Sequence, residues 1–122
     1  MQFAREMFPR RQRAHPPAAP AVAADKFGVI AHVNAQQGKR DAMIDALKGL
    51  IGMKGCINFV IAKDGKNADG VWITEVWKSK EAHDAALTTD KFKAAIGKAG
   101  PLMGGAPDQN NETWPVAGLG FK

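Results

Sequence analysis

Residues 71–78 run Val-Trp-Ile-Thr-Glu-Val-Trp-Lys. β-Branched and aromatic side chains dominate this stretch, and they fit a pleated surface, so it reads as a strand. Alternate residues of a strand face opposite sides of its sheet. Val71, Ile73 and Trp77 therefore share one face, with Glu75 among them, while Trp72 and Val76 share the other. A strand with one face in water is polar on that face. This one is apolar on both, so its sheet needs a cover on each side. Helices can supply one cover and a second copy of the same sheet the other, which predicts a homodimer.

The neighbouring segments supply the rest of the sheet. Residues 56–63 (CINFVIAK) form a second strand, and the polar loop joining the two holds the turn dipeptides Asp64-Gly65 and Asp69-Gly70. Upstream, residues 39–51 (KRDAMIDALKGLI) place Met43, Ile44, Leu47, Leu50 and Ile51 on one apolar helical stripe, bracketed by Gly38 and Gly52. Before it, residues 27–34 (FGVIAHVN) read as the first strand. His32 and Asn34 fall on one of its faces and need partners, for which solvent or an interfacial hydrogen bond is the simplest account. Asn58 raises the same question.

Downstream, Ser79 is an N-cap for a helix from Lys80 that carries Ala82, Ala85, Ala86 and Leu87. Thr88-Thr89-Asp90 marks a break and a new cap. The helix that follows, from Lys91 to about Ala99, turns Phe92, Ala95 and Ile96 inward until Gly100-Pro101 stops it. After a Gly/Pro/Asn-rich loop, Glu112 to Ala117 is expected as the last strand, with Pro115 restricting it to an edge. The order β-α-β-β-α-β is the split βαβ of ferredoxin-like folds: an α+β protein whose antiparallel sheet carries its helices on one face.

The length of 122 residues suits one domain of modest burial, which oligomerisation would help. The net charge of +5 is unevenly spread, because Arg5, Arg10, Arg11 and Arg13 stand against Glu6 alone before Asp25. That distribution, with no basic run interleaved with aromatics, argues against a nucleic-acid partner. Residues 1–25 are rich in Arg, Pro and Ala and lack period, so they are expected to form a disordered or processed basic leader ahead of the domain at 26–122. A plain tail leaves the protein cytoplasmic. A targeting segment would make it exported or organellar, although no h-region precedes Ala21-Val22-Ala23 and Ser is missing from the leader. Cys56 is the single cysteine, which excludes an intramolecular disulfide and makes a Cys-based metal site improbable. No apolar run approaches membrane-spanning length.

The segments GKRDAMIDAL, GCINFVIAKD, VWITEVWKSKEAHDAAL, GPLMGG and PVAGLGF resemble the antibiotic biosynthesis monooxygenase family, and within it the branch named for quinol monooxygenases. The resemblance covers about residues 26–122 and is best at Glu75 to Ser79. It implies a dimeric α+β barrel that oxidises a small quinol or phenolic aromatic with O2 and uses no flavin, haem or metal. The chain has no GxGxxG or P-loop that would point to a cofactor. Trp77 matches the tryptophan that lines the cavity of polyketide-oxidising members, and its N–H could bond a substrate oxygen; its other reading is plain core. His83 stands where those members carry a proton-donating tyrosine, a residue type this chain lacks, and histidine can take that role. Its other reading is a helix-surface or capping histidine.

Trp77 and His83 are thus the catalytic candidates. Ile73, Glu75, Phe92 and Met103 are the substrate-binding candidates, with Glu75 either a partner that fixes the fold or a base. Two positions depart from known patterns. Ile73 replaces the asparagine of polyketide-oxidising members, which removes a polar anchor. Ala86 and Ile96 occupy the Trp and His positions of the haem-degrading branch, so its axial ligand is missing. Two other functions fit the same fold: a non-catalytic small-molecule-binding dimer, and a cofactor-free isomerase or lyase acting on an aromatic intermediate.

Overall fold

The computed structural model describes residues 25–121, so the expected leader lies, apart from Asp25, outside the described residues. The elements are β1 (Phe27–Asn34), α1 (Arg40–Leu47), β2 (Cys56–Lys63), β3 (Gly70–Trp77), α2 (Lys80–Ala86), α3 (Asp90–Ala99) and β4 (Gln109–Thr113). The four strands form one antiparallel sheet in the order β2-β3-β1-β4. This is the expected ferredoxin-like α+β arrangement, with β1 and β3 as its two central strands.

Register fixes the faces. Phe27, Val29, Ala31 and Val33 of β1 lie opposite Trp77, Glu75, Ile73 and Val71 of β3. That face packs under Met43, Leu47 and Leu50 from the first helical segment and under Ala86, Ala95 and Ala99 from the later helices. Small residues let the helices approach closely: a Cβ added at Gly49 would stand 3.2 Å from the Ala95 methyl. Ser79 Oγ accepts the Ala82 N–H at 3.0 Å and Thr89 Oγ1 accepts the Phe92 N–H at 3.2 Å, so both expected caps form.

The structure corrects two boundaries. The first helix ends at Leu47 and continues only as a 3₁₀ turn over Lys48–Leu50. Gly49 and Gly52 weaken the α-helix there, and Ile51, expected on the apolar stripe, is 49% exposed. The last strand is Gln109–Thr113 and not Glu112 to Ala117. Pro115 has no N–H for the ladder, and pairing with β1 begins at His32 opposite Gln109. The sequence Gln-Asn-Asn-Glu-Thr has few strand formers, so tertiary pairing and not propensity makes β4.

Among the described residues no helix covers the opposite face of the sheet. Ile30 and Val60 are exposed on it, Trp72 and Val76 are half-buried, and His32 is buried.

Candidate functional site

A cavity of about 340 Å³ lies between the helices and the covered face of the sheet. β3 supplies Ile73 and Glu75, α2 supplies His83, α3 supplies Phe92 and Ile96, and the segment after α3 supplies Met103. A smaller void of about 50 Å³ adjoins it, sharing Glu75, His83 and Phe92 and adding Trp77 and Met53. Of the residues singled out in the sequence, Ile73, Glu75, His83, Phe92 and Met103 meet at the larger cavity, and Trp77 lines only the smaller one.

Trp77 is 3% exposed, and its Nε1–H donates to Glu75 Oε1 at 2.8 Å. The indole donor is therefore already engaged and is not held free for a substrate oxygen. Glu75 is half-buried. Burial pushes its carboxyl above the usual carboxylate range, against the smaller opposing pull of the Trp77 hydrogen bond and the nearby His83. Such a group can take up or release a proton closer to neutrality than an exposed glutamate.

His83 is wedged between aromatic rings. Its centroid lies 4.9 Å from Phe27 and 5.5 Å from Trp77, the latter met edge-on. Nδ1 pairs with Asp84 Oδ1 at 2.9 Å. Among the described residues Nε2 has no hydrogen-bond partner. The hydrogen bond to His83 holds the Asp84 carboxyl below its ordinary range. An ionised Asp84 favours the tautomer with the proton on Nδ1, leaving the Nε2 lone pair as a base.

Sequence reasoning missed Asp84, whose role follows from its being next to His83 at the end of a short helix. It also missed Asn110 and Glu112, which β4 brings to the cavity wall. Both were hidden by the misplaced strand, since alternation from Gln109 sets Asn110 and Glu112 on the covered face. A wider cleft of about 470 Å³ lies between Gly52–Gly55 and α2. Alanines and lysine side chains line it, with neither a histidine nor an aromatic ring, so it lacks the combination of base and ring-packing walls.

A second histidine is organised differently. His32 is 5% exposed, and both ring nitrogens contact carboxylates: Nε2 to Asp64 Oδ2 and Nδ1 to Asp108 Oδ1, each at 2.8 Å. Its partners are within the chain, which replaces the expected solvent or interfacial account. Asn34 Nδ2 donates to the other oxygen of Asp108 at 3.1 Å. Trp72, on the face expected to pack at a dimer interface, meets the His32 ring edge-on at 4.5 Å. Cys56 is half-buried, and burial followed by the Glu75 charge raises its thiol pKa, in keeping with an inert residue.

Among the described residues no group of three or more His, Cys, Asp or Glu could hold a metal ion, and no helix is long and apolar enough to cross a membrane.

Comparison with known proteins agrees with this architecture. The family model described as "Antibiotic biosynthesis monooxygenase" matches residues 26–98. The chain is 43% identical to a solved protein from Chloroflexus aurantiacus described as a "putative Antibiotic biosynthesis monooxygenase", covering 78% of this chain and 97% of that one with a TM-score of 0.74. A similarly described structure from Caulobacter crescentus is 24% identical over 78% of this chain and 93% of its own, with a TM-score of 0.70. One from Nitrosomonas europaea is 13% identical over 80% and 96%, with a TM-score of 0.69. The latter two speak for the fold alone. No curated protein matches the chain.

Proposed function

The chain belongs to the antibiotic biosynthesis monooxygenase family, and on that premise we propose that it is a cofactor-independent monooxygenase that oxidises a small quinol or phenol with O2. The observation that carries this reading is His83, a base oriented by Asp84 at the wall of a largely apolar cavity, with no partner for Nε2 among the described residues. The volume of about 340 Å³ lies at the small end of ligand pockets, which suits one or two fused rings.

In this reading Ile73, Phe92 and Met103 hold the ring, and His83 Nε2 takes a phenolic proton. The phenolate that results is electron-rich enough to reduce O2 directly, and the apolar walls keep water from quenching the intermediates. For a hydroquinone the balance closes without a further reductant. One oxygen atom enters the ring, the other leaves as water, and the ring loses four electrons in becoming a hydroxyquinone. The Trp77–Glu75 pair stands beside His83, with Trp77 positioning the carboxyl and Glu75 available to return a proton to the departing oxygen.

The same reading takes residues 26–122 as the functional domain, preceded by a basic leader, and pairs two domains through the uncovered sheet face. Ile30 at 39% and Val60 at 46% exposure, beside Trp72 and Val76, support that pairing. Exposed apolar residues contiguous on one face mark an interaction surface. Sedimentation at micromolar concentration is expected to give a dimer, and a stable 13.1 kDa monomer would refute the pairing. The chemistry is tested by O2 uptake and product mass with a panel of hydroquinones, with and without air. O2-dependent gain of one oxygen atom is expected, and absence of turnover on every quinol removes the monooxygenase reading.

A further inference from the structure

We propose that His32 is the charged latch of a strap, residues 103–112, that forms one wall of the cavity, and that the latch opens as the imidazole loses its proton.

The geometry at His32 favours a charged ring. A neutral imidazole has one N–H and can donate to one acceptor only. Here both nitrogens stand 2.8 Å from carboxylate oxygens, an arrangement that satisfies all partners when the ring carries both protons. Burial disfavours the cation, but the hydrogen bonds to Asp108 and Asp64 outweigh it, and the imidazole pKa is raised. The other groups facing the ring carry no charge: Trp72 from β3, Gln109 opposite it on β4, and Asn34 on its own strand. Two cations reach the Asp64 loop without facing the ring. Arg40 donates to backbone carbonyls there, and Lys66 bonds Asp64 through its backbone N–H at 2.8 Å.

The two carboxylates are not equally held. Asp64 is tied into its own turn and its side chain is 16% exposed, whereas the Asp108 side chain is 54% exposed and held by His32 and Asn34. The Asp108 carboxylate is therefore the group that releases. The Asp108 backbone N–H donates to His32 O at 3.0 Å, and on either side the strap is fastened to β1 by Gly104 N–H to Asn34 O at 2.7 Å and by the β4 ladder that starts at Gln109. Among the described residues, Gly105 to Pro107 make no hydrogen bond to the body of the fold. Met103, Pro107, Asn110 and Glu112 of this strap line the cavity.

The sign follows from linkage. The folded imidazole pKa lies above its ordinary value, so the latch is strongest below that value and is lost as pH rises through the folded pKa. Asp64 and Asp108 are lowered, Asp64 by its Lys66 N–H bond and then His32, Asp108 by His32. The latch therefore also fails in acid, as pH falls through those lowered values.

The latch rests on the cavity being the functional site, and its test uses no substrate, so its failure is distinct from a failure of the monooxygenase reading. Amide exchange of residues 103–113, corrected for base catalysis, is followed against pH beside an NMR titration of the His32 ring nitrogens. Expected is a several-fold acceleration confined to the strap, with a midpoint at the imidazole pKa, which itself lies above that of a free histidine. In Asp108→Asn the midpoint falls toward the ordinary value. Corrected exchange that stays level across the His32 titration overturns the proposal, as does an equal acceleration in α1. The wild-type measurement alone yields one of these results if the variant does not fold.

Discussion

Trp77 and Glu75, two residues apart on the covered face of β3, are joined by a hydrogen bond from the indole Nε1–H to Oε1 at 2.8 Å. The pair satisfies the only polar side-chain atom of a buried tryptophan and orients a carboxyl group at the cavity wall. It also ties a titration to the core, because Glu75 is held above its ordinary pKa chiefly by burial.

The consequence for stability has a definite sign. A carboxyl whose folded pKa is raised stabilises the fold below its unfolded pKa and loses that contribution as pH rises through the folded pKa. Glu75→Gln keeps an acceptor for Trp77 but cannot ionise. Urea unfolding is expected to show the variant gaining on the wild type as pH rises from 4 to 8, from a free-energy slope near ~1.4 kcal/mol per pH unit for each proton by which the folded and unfolded states differ. A constant difference over that range would show that Glu75 does not titrate with folding.

The strands and helices that build the cavity were legible because their apolar residues repeat at two or at 3.6 residues. That periodicity placed Ile73, Phe92 and the His83 helix on the same side. It could not place β4, whose five residues are polar or small and become a strand only by pairing with β1. Asn110 and Glu112 were lost with it. His32 defeated the sequence for a related reason: Asp64 and Asp108 are 32 and 76 residues away in the chain, and nothing local announces them. The resemblance to a family pointed to Trp77 as a donor to substrate, and the structure gives that donor to Glu75.

The Asp84–His83 pair predicts unequal effects on turnover. Removing the base in His83→Ala is expected to lower kcat by on the order of 10²–10⁴, the usual range for general base catalysis. Asp84→Asn leaves the base in place and loses the bias toward the Nδ1–H tautomer together with an exposed ion pair to Lys80 at 3.6 Å, so a smaller loss and a shifted pH–rate profile are expected. Steady-state O2 uptake across pH reads both. An Asp84 variant as impaired as His83→Ala would mean that the aspartate does more than orient the ring, and an unimpaired His83→Ala would take the histidine out of the mechanism.

Thr89 has a structural and a site role. Its Oγ1 accepts the Phe92 N–H at 3.2 Å and donates to Ala86 O at 2.7 Å, pinning the junction of α2 and α3. Phe92, in the first turn of α3, is a cavity wall. Thr89→Ala is expected to destabilise the fold by about 1 kcal/mol, the usual loss for an N-cap hydroxyl. It should also loosen substrate binding more than it slows the chemical step, because in the proposed mechanism Phe92 packs on the substrate ring and moves no proton. A Thr89→Ser variant, which retains the hydroxyl, should restore both, and kcat and KM measured with stability on the three proteins check it.

Gly70 is the position where an added methyl group tells most about the His32 cluster. A Cβ there would stand 2.8 Å from His32 Nε2, 3.0 Å from Asp64 Cβ and 3.1 Å from Asp64 Oδ2. Gly70 sits in a strand, where alanine is ordinarily better than glycine by roughly 0.5–1 kcal/mol. The imidazole cannot swing aside cheaply, since both nitrogens are held by carboxylates and Trp72 meets its ring. Gly70→Ala is therefore expected to reverse the usual sign, costing about 1–3 kcal/mol, the range for overpacking a close-packed site. Displacing Nε2 from Asp64 should also lower the His32 pKa toward that of a free histidine, so the variant loses stability earlier on the alkaline side than the wild type. Urea unfolding at pH 6 and pH 9 with an imidazole titration measures both. A stabilised Gly70→Ala protein with an unchanged His32 titration would mean that the ring and Asp64 are not in the contact described.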